Sequence, residues 1–327
     1  MGCDSRSPVK EGETILKLGF VFPGQGAQYV GMAKELSDRY PIAKQTFDEA
    51  DEALGFKLSE LCFSGPEESL RLTYHTQPAL LTASIATYRV FQQFSSIVPA
   101  VVAGHSLGEY TALVASGSLQ FADAVQLVHK RGRYMDEAVP AGQGAMAAVL
   151  GMGAEELSAV CQQAWLGDDV VELANVNCPG QIVISGTSLG VERASQLAKE
   201  HGAKRVIPLV VSGPFHCSLM RKAAGRLSQA LAEVTLLDSA IPVVANVDAL
   251  PRQTTAELRA ALEAQLYSPV LWETSVGEML TMGVEGFVEF GPGTVLSGLI
   301  KKVERRILTL HVENEASLQE TLAAIVQ

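Results

Sequence analysis

Val101-Val102-Ala103-Gly104-His105-Ser106-Leu107-Gly108-Glu109 is the stretch on which the reading of this chain turns. An apolar run from Ile97 to Ala103 has the profile of a buried strand and breaks sharply at Gly104. A helical pattern follows, so Gly104-His105-Ser106-Leu107-Gly108 is a Gly-x-Ser-x-Gly turn between strand and helix. A serine on so tight a turn has strained backbone angles, and glycines two residues to either side let neighbouring chain pass close. Its hydroxyl then stands above the sheet, at the positive end of the following helix. A plain glycine turn that happens to carry a serine is the alternative; the strand before and the helix after favour a nucleophile.

The flanking sequence alternates in the same way. Leu16–Phe22 is a short apolar run that ends in Pro23-Gly24-Gln25-Gly26, a buried strand feeding a glycine turn. Gln77–Phe94 places Leu80, Leu81, Ile85, Tyr88 and Phe91 at three- and four-residue steps, which predicts a helix. Ile241–Val247, Gly286–Phe290 and Ile307–Val312 are strand-like and separated by helical patterns. This order predicts a mostly parallel sheet with helices on both faces.

The middle reads differently. Strands are expected at Ala145–Leu150, Val170–Val176, Gln181–Ser185 and Ala203–Val210, with helices at Ala154–Trp165 and Leu189–His201 and a turn at 177–180. That β-α-β-β-α-β order is the ferredoxin-like arrangement. The predicted fold class is therefore α/β. A large, discontinuous, α/β-hydrolase-like domain is expected over residues 14–140 and 211–327, with a small ferredoxin-like domain inserted at 141–210. Residues 1–13 are expected to be a disordered leader.

Composition narrows the function. The 327 residues carry 25 Lys plus Arg against 36 Asp plus Glu, a net charge of −11, which argues against a nucleic-acid partner. Hydrophobic residues make up 47% and charged residues 19%, which excludes a disordered chain. No uninterrupted apolar run is long enough to span a bilayer, so no membrane association is expected. Five scattered cysteines without a Cys-x-x-Cys pair offer neither a disulfide framework nor a zinc site. A polar start without a signal-peptide core points to the cytoplasm.

A serine nucleophile needs a base. Among six histidines, His216 stands out in Gly213-Pro214-Phe215-His216-Cys217, where the large domain is expected to resume beside a cleft. His129 and His201 fall in helical patterns and read as surface residues, and His105 reads as shaping the elbow. An oxyanion hole needs two N–H donors. Leu107, after the serine, supplies one, and the glycine loop around Gln25 fits the second. That loop misses Gly-x-Gly-x-x-Gly, so no bound nucleotide cofactor is expected. In Lys130-Arg131-Gly132-Arg133, Gly132 and Met135 suggest that one arginine turns inward, where its fork would hold a substrate carboxylate.

The motifs together resemble one family. Phe22-Pro23-Gly24-Gln25-Gly26-Ala27-Gln28, Thr76-Gln77-Pro78-Ala79, Gly104-His105-Ser106-Leu107-Gly108-Glu109, Arg131 with Met135 and Phe215-His216 all match it. So do Asn246-Val247-Asp248, Gln265-Leu266-Tyr267-Ser268-Pro269 and Gly291-Pro292-Gly293. The chain resembles the bacterial malonyl-CoA:acyl-carrier-protein transacylases, and it is similar to the acyltransferase modules of polyketide synthases. The resemblance implies that Ser106, activated by His216, carries malonyl from CoA to the phosphopantetheine thiol of holo acyl carrier protein, with no bound cofactor or metal. It implies an oxyanion hole of Gln25 and Leu107, and a backbone carbonyl at Gln265 that orients the histidine. It further implies substrate binding by Arg131, Met135, Gln77, His105, Phe215 and Asn246. Leu107 stands where methylmalonyl-selective relatives often have Gln, and the ring of Phe215 would crowd an α-methyl branch, so malonyl is expected. One methyl is worth only about 1–3 kcal/mol of discrimination. Fatty acid and polyketide synthesis both remain open.

Carrier proteins are acidic and so is this chain, so docking would rest on local basic patches. Lys301, Lys302, Arg305 and Arg306 are expected to share one helical face, and Arg221, Lys222 and Arg226 to lie on another helix. Family members are often monomeric, and a monomer is expected. Two other readings stay beside this one: a serine hydrolase, which should show an acid between serine and histidine, and a non-catalytic docking subunit, which should lack one of them.

Overall fold

The computed structural model describes residues 16–325, so the leader expected over residues 1–13 lies outside the described residues. Ten strands among them are β1 (Leu18–Phe22), β2 (Val101–Gly104), β3 (Gly144–Leu150), β4 (Val171–Cys178), β5 (Gln181–Thr187), β6 (Arg205–Pro208), β7 (Val243–Val244), β8 (Pro251–Arg252), β9 (Gly286–Phe290) and β10 (Leu308–Val312). They form a six-stranded sheet in the order β10-β9-β1-β2-β7-β8 and a four-stranded sheet in the order β4-β5-β3-β6. In the larger sheet every pair is parallel except β7 with β8. In the smaller one every pair is antiparallel.

β1, β2 and β9 are buried along their whole length, as expected of continuous apolar runs covered on both faces. Phe20 and Phe22 of β1 pack against Tyr88, Phe91 and Phe290 with ring centroids 4.9–6.1 Å apart, which seats helix 73–92 on the sheet. The register pairs Phe22 with Gly104, so the loops that leave β1 and β2 emerge side by side at the carboxyl edge. That edge is where parallel sheets present ligand-binding loops.

Several elements differ from the sequence expectation for backbone reasons. β2 begins only at Val101, since Pro99 has no N–H to pair. The strand expected over Ile241–Val247 shrinks to two residues, because the chain turns back at Ala245–Leu250 to form β8. Cys178, expected in a turn, ends β4. Helix 295–303 ends at Val303, and extended Glu304 follows, so Arg305 and Arg306 do not share a helical face with Lys301 and Lys302. His129 is not a free surface residue. Pro78 inside helix 73–92 cannot donate to the Tyr74 carbonyl, and His129 Nδ1 donates to that oxygen instead, at 2.7 Å.

Gly132 brings helix 121–136 against helix 73–92 at the same place, since a Cβ there would overlap the Tyr74 backbone. The two helices can therefore approach closely just where Arg131 leaves the backbone. The smaller sheet is stitched to the larger body through β4: Val176 donates to Val270 at 2.9 Å, and Val270 to Ala174 at 2.8 Å.

Glu289, fully buried on β9, accepts from the N–H of Leu296 at 3.0 Å and of Ser297 at 2.7 Å, capping the first turn of helix 295–303. Burial pushes its carboxyl from an ordinary 4.5 up to about 7, against the pull of those two donors. Between these values the folded chain keeps a proton that the unfolded chain has released, so this group's contribution falls as pH rises through that window. Glu289→Ala leaves two buried donors unpaired. It should cost about 2–4 kcal/mol and lower Tm by roughly 3–6 °C, read by calorimetry; an unchanged Tm would remove Glu289 from the framework.

Candidate active site

The elbow is built as its glycines require. A Cβ on Gly104 would overlap the Gly108 carbonyl, and a Cβ on Gly108 would overlap the Phe22 carbonyl of β1. Helix 107–115 therefore starts directly on top of the sheet. Ser106 sits at φ 52°, ψ −105°, a conformation a non-glycine residue adopts only under strain of about 1–3 kcal/mol. Asn246, in the turn after β7, holds it from below. Its Oδ1 accepts from the Ser106 N–H at 2.7 Å and its Nδ2 donates to the Gly104 carbonyl at 2.7 Å.

His216 also has positive φ, 59°, in the segment that returns from the smaller sheet. Its Nδ1 donates to the Gln265 backbone carbonyl at 3.0 Å, which leaves Nε2 as the acceptor facing Ser106 Oγ at 2.7 Å. Burial first, and the positive Arg131 second, depress this imidazole to about 3, so it is neutral at physiological pH. No acidic side chain touches it among the described residues.

Arg131 turns inward and is 1% exposed. Its Nη1 donates to Gln77 Oε1 at 2.8 Å, and its Nη2 to Gln265 Oε1 at 2.9 Å and to Ser106 Oγ at 3.2 Å. Its Nε has no partner, and no carboxylate is paired with it among the described residues. The Tyr110 ring lies 5.3 Å from the guanidinium carbon.

Gln265 is the hub. Besides orienting His216 and Arg131, its Nε2 donates to the Ser106 carbonyl at 2.9 Å and to Glu109 Oε2 at 2.9 Å. Glu109 accepts as well from the Asn246 N–H at 3.0 Å. Burial raises its carboxyl to about 7, with those two donors and Arg131 pulling the other way.

Two adjoining cavities open between the two sheets. The inner one, of about 130 Å³, holds Ser106, His216 and Arg131 against Met135, Met146 and Phe215. The outer one, of about 300 Å³, runs between the Pro23–Ala27 loop, the smaller sheet and helix 295–303. Gln25, His105, Asn175 and Leu209 line both.

Most residues singled out from the sequence converge here. Ser106, His216, Arg131, Met135, Phe215, Gln25, Leu107 and His105 all line the inner cavity. The N–H groups of Gln25 and Leu107 have no acceptor among the described residues. His105 Nε2 donates to Asn177 Oδ1 at 2.8 Å, tying the elbow to the smaller sheet. Gln77 and Asn246 stand elsewhere than expected. Both are buried behind the cavity wall, Gln77 under Arg131 and Asn246 under the elbow, where their polar ends are taken by protein. Sequence reasoning missed Glu109 and the side-chain role of Gln265, and also Met146, Asn175 and Leu209, which reach the site from the smaller sheet. Only Glu109 carried a signal, as a charge in an otherwise apolar helix start.

Residues 19–319 match the family described as acyl transferase domain. The malonyl CoA-acyl carrier protein transacylase of Bacillus subtilis is 55% identical over 303 residues, covering 93% of this chain and 95% of that one. The crystal structure of an acyl carrier protein S-malonyltransferase from Vibrio cholerae superposes with a TM-score of 0.91 at 48% identity, covering 93% of this chain and 99% of that one. A malonyl-transacylase solved in complex with its type II polyketide-synthase acyl-carrier protein gives 0.92 at 44% identity, covering 94% and 99%. Matched across residues 19–319, the chain belongs to the acyl transferase domain family.

Proposed function

We propose that this chain transfers a malonyl group from CoA to the phosphopantetheine thiol of an acyl carrier protein. Arg131 carries the reading: a wholly buried guanidinium, unpaired with any carboxylate among the described residues and with a free Nε, stands 3.2 Å from the nucleophile candidate. Such a buried charge calls for an anion on the substrate. The names of the relatives agree with a malonyl donor and a carrier acceptor.

In the reaction, His216 Nε2 takes the proton of Ser106 Oγ as that oxygen attacks the thioester carbonyl. The N–H groups of Gln25 and Leu107 receive the developing oxyanion. The C–S bond breaks, His216 returns the proton to the CoA sulfur, and a malonyl-serine ester remains with its carboxylate on Arg131. The carrier thiol then gives its proton to His216 and attacks the ester; the C–O bond breaks, His216 returns the proton to Ser106 Oγ, and the malonyl-carrier thioester leaves. The inner cavity takes the acyl group, and the outer one the pantetheine arm. Phe215 lines the inner cavity, and its ring is read as crowding an α-methyl branch. No resident cofactor enters these steps.

The finer architecture follows the same reading. The smaller sheet, with its strand–helix–strand–strand–helix–strand order, is taken as a ferredoxin-like insert at 141–210 in a hydrolase-like domain of residues 14–140 and 211–327. Carrier docking is assigned to the end of helix 295–303. That helix lines the outer cavity, and Lys302 reaches its rim by donating to Gln181 Oε1 at 2.8 Å. Arg221 and Arg226 are engaged elsewhere, on the Tyr267 ring and on Glu137. The working unit is read as a cytoplasmic monomer. Among the described residues four cysteines are free and buried, and no helix is long and apolar enough to cross a membrane.

Intact mass after mixing with malonyl-CoA should show a malonyl adduct on the wild-type chain and none on Ser106→Ala, and holo carrier protein should discharge the adduct. Free malonate without transfer would make the chain a hydrolase. Arg131→Ala should lower malonyl transfer at least about 100-fold and leave acetyl transfer intact or raised; equal loss of both would overturn the role of Arg131. Because His216 is held neutral far below an ordinary histidine, the burst of CoA release at saturating malonyl-CoA should show no inflection near 6.5 between pH 5 and 8. A loss of burst below 6.5 would mean that the imidazole titrates as a solvated one.

A further inference from the structure

Glu109 is a second buried charge that the reaction above does not use. It is 2% exposed, one turn beyond the nucleophile on helix 107–115. The Gln265 side chain joins it to Arg131: Gln265 Nε2 donates to Glu109 Oε2 at 2.9 Å, and Gln265 Oε1 accepts from Arg131 Nη2 at 2.9 Å. One amide thus connects a carboxylate to a guanidinium, and among the described residues neither has a direct ion-pair partner.

The charges acting on Glu109 are few. Arg131 on helix 121–136 favours its ionised form, and Asp248 in the turn after β7 opposes it. β1, β2 and β7 carry no ionisable side chain. On helix 73–92, His75 is turned to the Ser69 carbonyl and Arg89 to Glu49. Tyr110 on its own helix and the nearby His216 are both held neutral by burial.

We propose that Glu109 is the counter-charge of Arg131 in the empty site, and that it takes up a proton when a substrate carboxylate occupies that arginine. The inference rests on the carboxylate–Arg131 reading given above. A malonyl carboxylate beside Arg131 puts two negative charges around one buried positive charge, and an unpaired charge in a low-dielectric interior is expensive. Glu109 relieves this by binding a proton from solvent; burial has already brought it close to neutrality at physiological pH. As a neutral acid it still accepts at Oε2 from Asn246 and Gln265, so the elbow and His216 keep their supports. Glu109 is therefore a positioning residue whose charge state follows the occupancy of Arg131. Affinity for malonyl-CoA then falls with rising pH above about 7 by up to about tenfold per unit, while affinity for acetyl-CoA stays level.

The test is calorimetric binding of malonyl-CoA and of acetyl-CoA to Ser106→Ala at pH 8, in buffers of different ionisation heat. Malonyl-CoA should take up about half to one proton more than acetyl-CoA, the comparison cancelling ionisations of the CoA moiety. The excess should vanish at pH 6, where Glu109 already carries its proton, and in Ser106→Ala/Glu109→Gln at pH 8. Tight malonyl-CoA binding without excess proton uptake overturns the inference and leaves the role of Arg131 standing. Failure of malonyl-CoA to bind better than acetyl-CoA overturns both. Excess uptake that persists in a folded Glu109→Gln variant assigns the proton to another group and equally overturns the inference. If that variant does not fold, the buffer comparison on Ser106→Ala decides alone.

Discussion

The backbone contact between Gly108 and the Phe22 carbonyl is the constraint on which the rest depends. Because helix 107–115 begins in contact with β1, the chain has no room for a relaxed turn between β2 and that helix. Ser106 is held in a conformation that ordinary residues avoid. Such strain persists only where the surroundings over-determine it, and here Asn246 takes its N–H while Gln265 takes its carbonyl. Any side chain at Gly108 would lift the helix and release both.

The supports of the elbow are also the supports of the chemistry. Gln265 contributes its backbone oxygen to His216, its amide oxygen to Arg131 and its amide nitrogen to Ser106 and Glu109. A carbonyl in place of a triad carboxylate fits the anion binding proposed for this site. A third buried acid beside His216 would repel the incoming carboxylate, whereas a neutral carbonyl still fixes the Nδ1–H tautomer. The depressed basicity of His216 follows first from its burial and then from the same arrangement, since Arg131 disfavours a second positive charge close by.

Much of this was legible in local sequence. The Gly-x-Ser-x-Gly turn, the β1 loop, the inward arginine and the Phe215-His216 pair each have a short-range signature in spacing, glycines and hydrophobic periodicity. The order of strands and helices in the middle of the chain was equally legible, with boundaries shifted by a few residues. Legibility failed where one backbone group answers a distant one. Pro99 shortened β2, the turn at Ala245–Leu250 replaced most of a strand, and His129 was drawn in to satisfy a carbonyl that Pro78 had orphaned.

Sequence alone determined the identities and the local geometry: which serine stands on a strained turn, which histidine follows the crossing between sheets, and that a glycine lies between two arginines where helices come together. Those properties depend on neighbours within a few residues. Tertiary structure decided what each side chain touches. Asn246 and Gln77, expected on the substrate, became supports behind the cavity wall, and Glu109, quoted in the elbow motif without a role of its own, became the buried carboxyl that joins Asn246 to Gln265. Hydrogen-bond partners for buried polar groups come from whichever chain segments packing brings within about 3 Å. In this site those segments lie as much as 159 residues apart.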